Sequence, residues 1–478
     1  MDNGTMTLTT RRLFTAILFF ALFVLATREI SDPDFWWHLR TGQYIVETRA
    51  IPHTDPFSLT RAGQPWITHE WLAEVFLYTL YTLGSFPLLI LAFAALITLT
   101  FALVYARMPG KPYVAAFALL VAALSTAPTW GVRPQMLTLL LASVFLYLLD
   151  RHQRLWLLPP LMVLWVNLHS GYALGLVIVA VYLFAAIIES VTSRFTLHAL
   201  RPLALTFVFC CLAVLFNPNG ATMYVYPLET LTSRTMQAYI QEWFSPDFHL
   251  VEFQPFAWLL IGTLAAMALG GKRVARAQTI LLAGSGYAAL RSARNIPIFA
   301  LIAAPILAEQ VWHLIAARVT VASPRATRGV ILLNWLILAI VIAAGGARVV
   351  AVVNNQPAVE RARFPVAAVD FLRARGAQGA LYNTYGWGGY LIWRLYPQVR
   401  VFIDGRADVY GDTFIEEVYL KAYRGGADWR APLEQYDVRL VLVEPNAPIV
   451  THLARDAQWQ RLYEDHQAIV FERKSSTP

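Results

Sequence analysis

One stretch near the N-terminus interleaves acidic and histidine side chains with tryptophans. It reads Ser-Asp-Pro-Asp-Phe-Trp-Trp-His-Leu-Arg over residues 31–40, and further acids and histidines follow up to residue 72. Two carboxylates at positions i and i+2 can converge on one cation or on one reacting hydroxyl, and tryptophans settle at the interface between a bilayer and water. This combination favours a site for a lipid-phosphate substrate. The candidates in this stretch are Asp32, Asp34, His38, Asp55, His69 and Glu70.

A structural interpretation of the same stretch is the alternative. Asp32 could cap a short interfacial helix over residues 34–46, because aspartate is a preferred residue at helix N-termini. The tryptophans could then form a membrane belt and nothing more.

Positive side chains recur at the ends of later apolar runs. Arg133, Arg291 and Arg294 stand at such ends, and His169 follows another run. The forked donors of arginine match the oxygens of a phosphate, and charges at helix ends within a bundle cost free energy unless they are paired. We therefore expect these residues to bind an anionic lipid headgroup. The alternative is that the arginines only extend towards the membrane surface.

Two glycine-containing loops in the C-terminal segment each follow a predicted strand, over residues 382–390 and 402–410. In α/β domains, the loops at the carboxyl ends of strands carry ligand groups. The first loop has neither the Walker spacing nor the dinucleotide-binding spacing, so a nucleotide role is poorly supported. An ordinary structural turn is the alternative. The candidate binding residues here are Tyr385, Asp404, Arg406 and Asp408.

The composition indicates which kind of secondary structure must position these candidate residues. Of the 478 residues, 57% are hydrophobic and 14% are charged, and the mean hydropathy is +0.50. Globular proteins carry about 25% charged residues, so an ordinary soluble enzyme is excluded. A helix needs about 20 mostly apolar residues to cross a bilayer. This rule predicts a polytopic α-helical membrane protein with eleven spans, at residues 12–28, 85–106, 112–128, 134–149, 155–168, 171–189, 199–216, 255–270, 277–291, 295–317 and 328–349.

The distribution of charge predicts the orientation. With a cytoplasmic N-terminus every inside loop is net positive, as the positive-inside rule requires, and the odd number of spans puts the C-terminus outside. From residue 354 onward acidic and basic residues are equal in number, so the net charge of +8 belongs to the membrane part and no nucleic-acid partner is indicated. The preference for arginine over lysine suggests a GC-rich bacterial genome and hence a bacterial cytoplasmic (inner) membrane.

The chain is predicted to have two domains. Residues 1–353 form a transmembrane domain whose first outer loop, residues 28–85, is longer than a connection needs to be. Residues 354–478 form an extracytoplasmic α/β domain. The absence of GxSxG, HExxH and CxxC motifs argues against a serine hydrolase, a zincin protease and a redox site. The expected elements of the second domain are helices at 365–375 and 412–422, strands at 380–382, 399–403 and 438–443, and a strand pair over 463–472.

The order of these features resembles the GT-C superfamily of integral-membrane glycosyltransferases. Residues 31–42 resemble its acidic motif and aromatic-rich helix, residues 51–58 its proline-containing turn, and residues 63–72 the entry to its second juxtamembrane helix. The mannosyl- and aminoarabinose-transferase branches usually carry Asp-Glu where this chain has Asp32 and Asp34 around a proline, so either aspartate could match the catalytic one. We prefer Asp34, which directly precedes the aromatic helix. The Trp-Trp-Asp signature of the oligosaccharyltransferase branch is not found, which argues against N-linked transfer.

The resemblance implies a reaction and its partners. The donor would be a sugar on a polyprenyl phosphate among the membrane lipids, and the acceptor an unknown glycan, lipid or protein. Asp34 would take the proton of the acceptor hydroxyl as it attacks the anomeric carbon with inversion, and the arginines would stabilise the leaving phosphate. A divalent cation on Asp32, Asp34 and Asp55 would be Mg or Mn, which suit their oxygen ligands, whereas His38, His53 and His69 would permit zinc. Several members of the superfamily work without metal. A transporter or flippase for a lipid-linked or anionic solute, or a non-catalytic scaffold, is the alternative function.

Overall fold

Residues 7–109, 112–192, 197–316 and 327–474 are described by the computed structural model. Contacts between Cα atoms divide the chain into two units, and neither unit is continuous in sequence. The first, which we call the membrane unit, contains residues 1–29, 90–217 and 241–354. The second, the loop–sheet unit, contains residues 30–89, 218–240 and 355–478. Most of the long first loop therefore belongs to the same unit as the C-terminal segment.

The apolar runs of the sequence are helical, because a backbone surrounded by lipid must satisfy its hydrogen bonds within the segment. A helix coincides with each of the eleven predicted spans. Six of the described helices are long and apolar enough to cross a bilayer, as expected for a multi-pass membrane protein. Ala317, the predicted end of the tenth span, lies outside the described residues. The principal helices are Thr10–Ala26, Trp71–Ala106, Pro112–Thr126, Gln135–Arg151, Leu158–Leu168, Tyr172–Thr192, Leu197–Ala213, Gln254–Gly270, Arg276–Arg291, Ile296–Ile315 and Arg328–Arg363.

The first loop is built on the helix Phe35–Thr48, which we call the loop helix. The Asp32 carboxylate accepts a hydrogen bond from the Asp34 backbone N–H at 2.9 Å, and this local turn sets the point at which the helix begins. Asp32 therefore shapes the turn before the helix, and the residue at the N-cap position, Asp34, makes no capping hydrogen bond with its side chain. The loop helix buries Phe35, Trp36 and Trp37 and ends at Arg49, which has a left-handed conformation with φ 55°.

The helix Trp71–Ala106 closes the first loop and is kinked at Gly84 and Ser85, where the backbone leaves the helical region. Its first turns pack closely on the loop helix. A Cβ atom at Gly42 would lie 2.0 Å from the carbonyl oxygen of Glu74, so only glycine permits this approach of the two backbones.

The C-terminal segment contains a five-stranded sheet of mixed direction. Its strand order is β2-β1-β3-β5-β4. β1 runs parallel to both β2 and β3, whereas β5 is antiparallel to β3 and β4. β3 is buried along its whole length, as expected for a strand covered on both faces. The strands are β1 Gly379–Asn383, β2 Val399–Val401, β3 Leu440–Val443, β4 Trp459–Glu464 and β5 Ile469–Arg473.

The helices around this sheet differ from the sequence expectation at two places. The glycine run expected as a loop is the start of a helix, Gly388–Leu395, and the expected helix over residues 412–422 is broken by a π-helical turn at Ile415–Tyr419. The shorter elements of the loop–sheet unit are Gly220–Tyr224, Tyr226–Thr232, Arg234–Tyr239, Val366–Ala374, Tyr385–Trp387, Ala407–Tyr410, Asp412–Phe414, Leu420–Tyr423, Arg430–Gln435 and Pro448–Arg455.

Candidate functional site

A buried arginine joins the first loop to the C-terminal sheet within the loop–sheet unit. The Nε and Nη2 atoms of Arg406 each donate to one carboxylate oxygen of Asp404 at 2.7 Å, and Nη1 donates to Asp55 Oδ1 at 2.8 Å. The Tyr410 hydroxyl donates to Asp404 at 2.6 Å, and the guanidinium lies 4.6 Å from the centre of the Trp66 ring. Such bidentate geometry compensates for the desolvation of a buried ion pair. The structure therefore places Asp404 and Arg406 where they hold the loop, and we assign them a structural role.

The same contacts fix the charge of the pair. Burial alone would raise the pKa of Asp55, but the Arg406 guanidinium and hydrogen bonds from Ser58 and the Phe57 N–H outweigh it, so the pKa is lowered. Burial opposes the charge of Arg406, yet Asp404 and Asp55 raise its pKa well above the usual value. Arg406 and Asp55 are therefore both ionised at neutral pH.

Asp34 is half-buried at the start of the loop helix. The indole N–H of Trp37, one turn along the helix, donates to Asp34 Oδ1 at 3.2 Å and orients the carboxylate. The backbone of Gly405 covers the same oxygen, since a Cβ atom at position 405 would lie 1.8 Å from it. Tyr385 lies nearby and its hydroxyl donates to the Gly405 carbonyl oxygen at 3.2 Å. Burial, and then the Asp34 carboxylate, raise the pKa of Tyr385 well above its usual value, so this phenol stays protonated.

A cluster of histidine and acidic side chains lies beside Trp37 in the loop–sheet unit. His69 Nε2 is 2.9 Å from Glu70 Oε1, and His38 Nε2 is 3.7 Å from Glu70 Oε2. The structure thus brings together three residues that the sequence predicted. It adds Tyr226, whose hydroxyl donates to Asp408 Oδ2 at 3.2 Å and whose ring centre lies 4.4 Å from that of His69.

Burial is the largest single contribution to the pKa shifts of Asp408 and His69. Burial raises the pKa of Asp408, and the neighbouring His69 and Arg406 offset only part of the shift. Burial lowers the pKa of His69, but the Glu70 carboxylate and then Asp408 outweigh it, so the pKa of the imidazole is raised. Both groups therefore hold protons at higher pH than they would in water.

A cavity of about 460 Å³ lies within the membrane unit. Two predicted binding residues line it, Arg294 and His169. His169 is held by the Gly171 N–H, which donates to its Nδ1 at 2.9 Å, and Thr138 Oγ1 is 2.9 Å from the same nitrogen. An apolar cavity with a few polar groups is typical of a site for a small molecule or a lipid chain. The apolar lining includes Met136, Leu139, Leu174, Val177, Ile280 and Leu281.

The three predicted arginines occupy different positions around this cavity. Arg133 forms an ion pair with Glu242, which itself lines the cavity. Burial raises the pKa of Glu242, but Arg133 and then Arg294 outweigh it, so the pKa is lowered. The Arg294 guanidinium lies 5.2 Å from the centre of the Trp243 ring. Arg291 is exposed and is not among the described residues that line the cavity, so Arg294 is the better placed of the two.

Comparisons with known proteins identify the architecture. No protein-family model matches the sequence, and no curated protein is significantly similar to it. Among solved structures, the chain is similar to the oligosaccharyltransferase AglB from Archaeoglobus fulgidus in complex with an inhibitory peptide and a dolichol-phosphate. The identity is 11% and the TM-score 0.56, with 90% of this chain and 69% of that chain covered. The apo form of the Archaeoglobus fulgidus enzyme gives the same TM-score and identity, with 91% and 70% covered.

A second similar structure is the arabinofuranosyltransferase AftD from Mycobacteria. The identity is 14% and the TM-score 0.52, and the match covers 98% of this chain but 42% of that chain. Both are membrane glycosyltransferases of the GT-C superfamily. This chain has the GT-C fold. At these identities the likeness establishes the GT-C architecture, as the first loop had indicated, and leaves activity to be argued from the site.

Asp32, Asp34 and Asp55 are the predicted ligands of a divalent cation. Among the residues that the structure describes, no group of three or more His, Cys, Asp or Glu side chains is arranged to hold a metal ion. Asp55 is paired with Arg406, and Asp32 accepts the Asp34 N–H. Asp32, Asp34 and Asp55 therefore do not fit a shared metal site.

Sequence reasoning missed residues that come from distant parts of the chain. Tyr226 and Glu242 lie between the seventh and eighth predicted spans, a connection whose length alone could have marked it as functional. Gly405 contacts Asp34 although the two are far apart in sequence, and no local pattern could have shown this.

Replacing Arg406 tests the buried ion pair. We expect Arg406→Met to lower the free energy of unfolding by about 3–5 kcal/mol, because it leaves buried carboxylates without their cation. Thermal unfolding of the detergent-purified protein, followed by tryptophan fluorescence, measures the change. Arg439→Met is the matched control, since Arg439 pairs with Asp437 on the surface and should matter little. Equal unfolding temperatures for the two variants would contradict the structural role of Arg406.

The raised pKa of His69 predicts a pH dependence of stability. Because protonation is favoured in the folded state, the stabilisation is complete below the ordinary histidine pKa of 6.5 and is lost as pH rises through the raised value. The unfolding temperature of wild type should therefore fall more steeply above pH 6.5 than that of His69→Gln. His249→Gln, which alters an exposed histidine, should follow wild type. Parallel profiles for wild type and His69→Gln would show that His69 carries no such stabilisation.

Proposed function

We propose that this chain is a membrane glycosyltransferase that moves a sugar from a polyprenyl-phosphate-linked donor to an extracytoplasmic acceptor, with inversion. The observation that carries the proposal is the Asp34 carboxylate. It is half-buried, oriented by Trp37 and covered on one side by Gly405, at the acidic motif where the GT-C resemblance expects a catalytic residue. Asp32, the other candidate, is turned to the backbone N–H of Asp34.

Asp34 is the proposed general base. As the acceptor oxygen forms its bond to the anomeric carbon, Asp34 takes the proton of that hydroxyl, and the bond from the anomeric carbon to the phosphate oxygen breaks. The electron pair leaves with the lipid phosphate. A single displacement of this kind inverts the anomeric configuration. The Trp37 hydrogen bond holds the carboxylate in a fixed orientation, so little reorganisation is needed during proton transfer.

The cavity of the membrane unit is the proposed seat of the donor lipid. Its aliphatic lining suits a polyprenyl chain, and Arg294 and His169 supply groups that a phosphate would accept hydrogen bonds from. The similar AglB structure is a complex with a dolichol-phosphate, a lipid of the same chemical class. Arg294 is also our candidate for stabilising the charge that develops on the departing phosphate.

Several finer features belong to the same proposal. They are the eleven spans with a cytoplasmic N-terminus, the division into domains 1–353 and 354–478, and a bacterial inner-membrane location with the C-terminal domain outside. The positive-inside pattern supports the orientation, and the helix found at each predicted span supports the count.

Substituting Asp34 tests the catalytic assignment. Membranes containing Asp34→Asn, supplied with radiolabelled sugars on polyprenyl phosphate, should transfer sugar about 10²–10⁴-fold more slowly than wild type, because the amide cannot accept the proton. Asp370→Asn, which changes an exposed aspartate, is the control and should retain activity. Full activity of Asp34→Asn would refute the assignment, and a loss confined to Asp32→Asn would transfer the role to Asp32.

Filling the cavity tests the lipid site. A Cβ atom at Gly284, which lines the cavity, would have no atom within 4 Å, so we expect Gly284→Leu to extend into the cavity and occupy lipid space. We expect polyprenyl phosphate to raise the unfolding temperature of wild type by mass action and to have a much smaller effect on Gly284→Leu and Arg294→Ala. Gly262→Leu, also in open space but outside the cavity lining, and Arg291→Ala are the controls. Equal shifts in all five proteins would place the lipid elsewhere.

A further inference from the structure

Residues 220–232 carry an apolar face that the loop–sheet unit leaves exposed. They form the 3₁₀ helix Gly220–Tyr224 and the helix Tyr226–Thr232, joined through Val225, whose backbone is also helical. Tyr224, Val225, Leu228 and Leu231 lie at helical spacing, and each is between 42% and 60% exposed. A single exposed leucine is ordinary, but a contiguous apolar face is a mark of an interaction surface.

The opposite face of this segment is fixed to the C-terminal part of the same unit. Tyr226 is buried and donates to Asp408, while Met223 is fully buried. Directly after the segment, the Ser233 hydroxyl donates to Asp412 at 2.7 Å and the Arg234 backbone N–H donates to it at 2.8 Å, which anchors the C-terminal end of the segment. The segment therefore has one face, with Met223 and Tyr226, buried against protein and an apolar face turned outward.

Chain connectivity favours the lipid bilayer as the occupant of the outward face. Only residues 217–219 separate the segment from Phe216, the end of the apolar helical run Leu200–Phe216. At roughly 3.5 Å per residue, Gly220 lies within about 14 Å of the end of that run. The polar interface of a bilayer extends about 5–8 Å beyond the hydrocarbon on each side, so a bilayer whose hydrocarbon ends at Phe216 has its interface within reach of the start of the segment.

We propose that residues 220–232 lie in the bilayer interface, with Tyr224, Val225, Leu228 and Leu231 inserted among the lipid headgroups and upper acyl chains. Amphipathic helices bind membranes in this way, with the apolar face 5–10 Å into the boundary region. The exposed Glu229 lies beside the apolar face, at its polar margin. The proposal does not depend on the glycosyltransferase activity.

Fluorescence of a probe attached to single cysteines tests this placement. Cys210→Ala and Cys211→Ala first remove the two native thiols. An NBD probe is then attached to the full-length protein in phosphatidylcholine vesicles at Leu228→Cys or Leu231→Cys. Arg439→Cys serves as the water-exposed reference, and Leu336→Cys, exposed on the apolar helix Arg328–Arg363, as the lipid reference. Unchanged thermal unfolding confirms that each labelled protein is folded.

The expected result is blue-shifted emission at residues 228 and 231, with quenching by doxyl-labelled lipid and protection from aqueous iodide, as at residue 336. Iodide quenching as strong as at residue 439 would overturn the proposal, since the face would then be in water. Protection from both quenchers would also overturn it, because the occupant would then be protein, such as a second copy of the chain or a protein acceptor.

Discussion

The ion pair between Arg406 and the two aspartates Asp404 and Asp55 is the constraint on which the loop–sheet unit depends. It joins a turn of the first loop to the end of a C-terminal strand, and every charged group in it is buried. A buried charge without its partner costs several kcal/mol of folding free energy, so Arg406 and both aspartates must come together when the unit folds. The first loop is therefore held in one register against the sheet. Gly405 lies between Asp404 and Arg406, and its contact with Asp34 follows from that register.

The contacts around Arg406 also explain why Asp34, among the carboxylates near the candidate site, is the proposed general base. The chain has 30 acidic residues, and most of those near the candidate site are committed to other contacts. Asp55 pairs with Arg406, Asp408 accepts from Tyr226, and Asp32 accepts from a backbone N–H. Asp34 differs because its contacts with Trp37 and Gly405 orient it while it stays half-buried. Orientation without complete burial is what a group that must exchange a proton with a substrate requires.

The two units carry different physical properties. The membrane unit offers an apolar cavity with Arg294 and His169, which suits a lipid with an anionic head. The loop–sheet unit offers oriented carboxylates and a cluster in which the pKa values of His69 and Asp408 are raised. The first kind of surroundings suits a lipid-linked donor and the second suits a hydroxyl acceptor.

The sequence by itself determined the elements, because their signals are local. Each apolar run of membrane length predicted a helix that the structure has, alternating apolar runs predicted the strands near residues 380, 400 and 440, and the Asp-Pro-Asp motif with its aromatic helix indicated the GT-C fold. Only the tertiary structure decided which candidates share an environment. Arg406, a candidate binding residue, pairs with Asp404 and Asp55, and among the described residues that line the cavity there is Arg294 but not Arg291. These outcomes depend on contacts between residues far apart in the chain, where burial and partner geometry set the free energy, and neither quantity is encoded in local spacing.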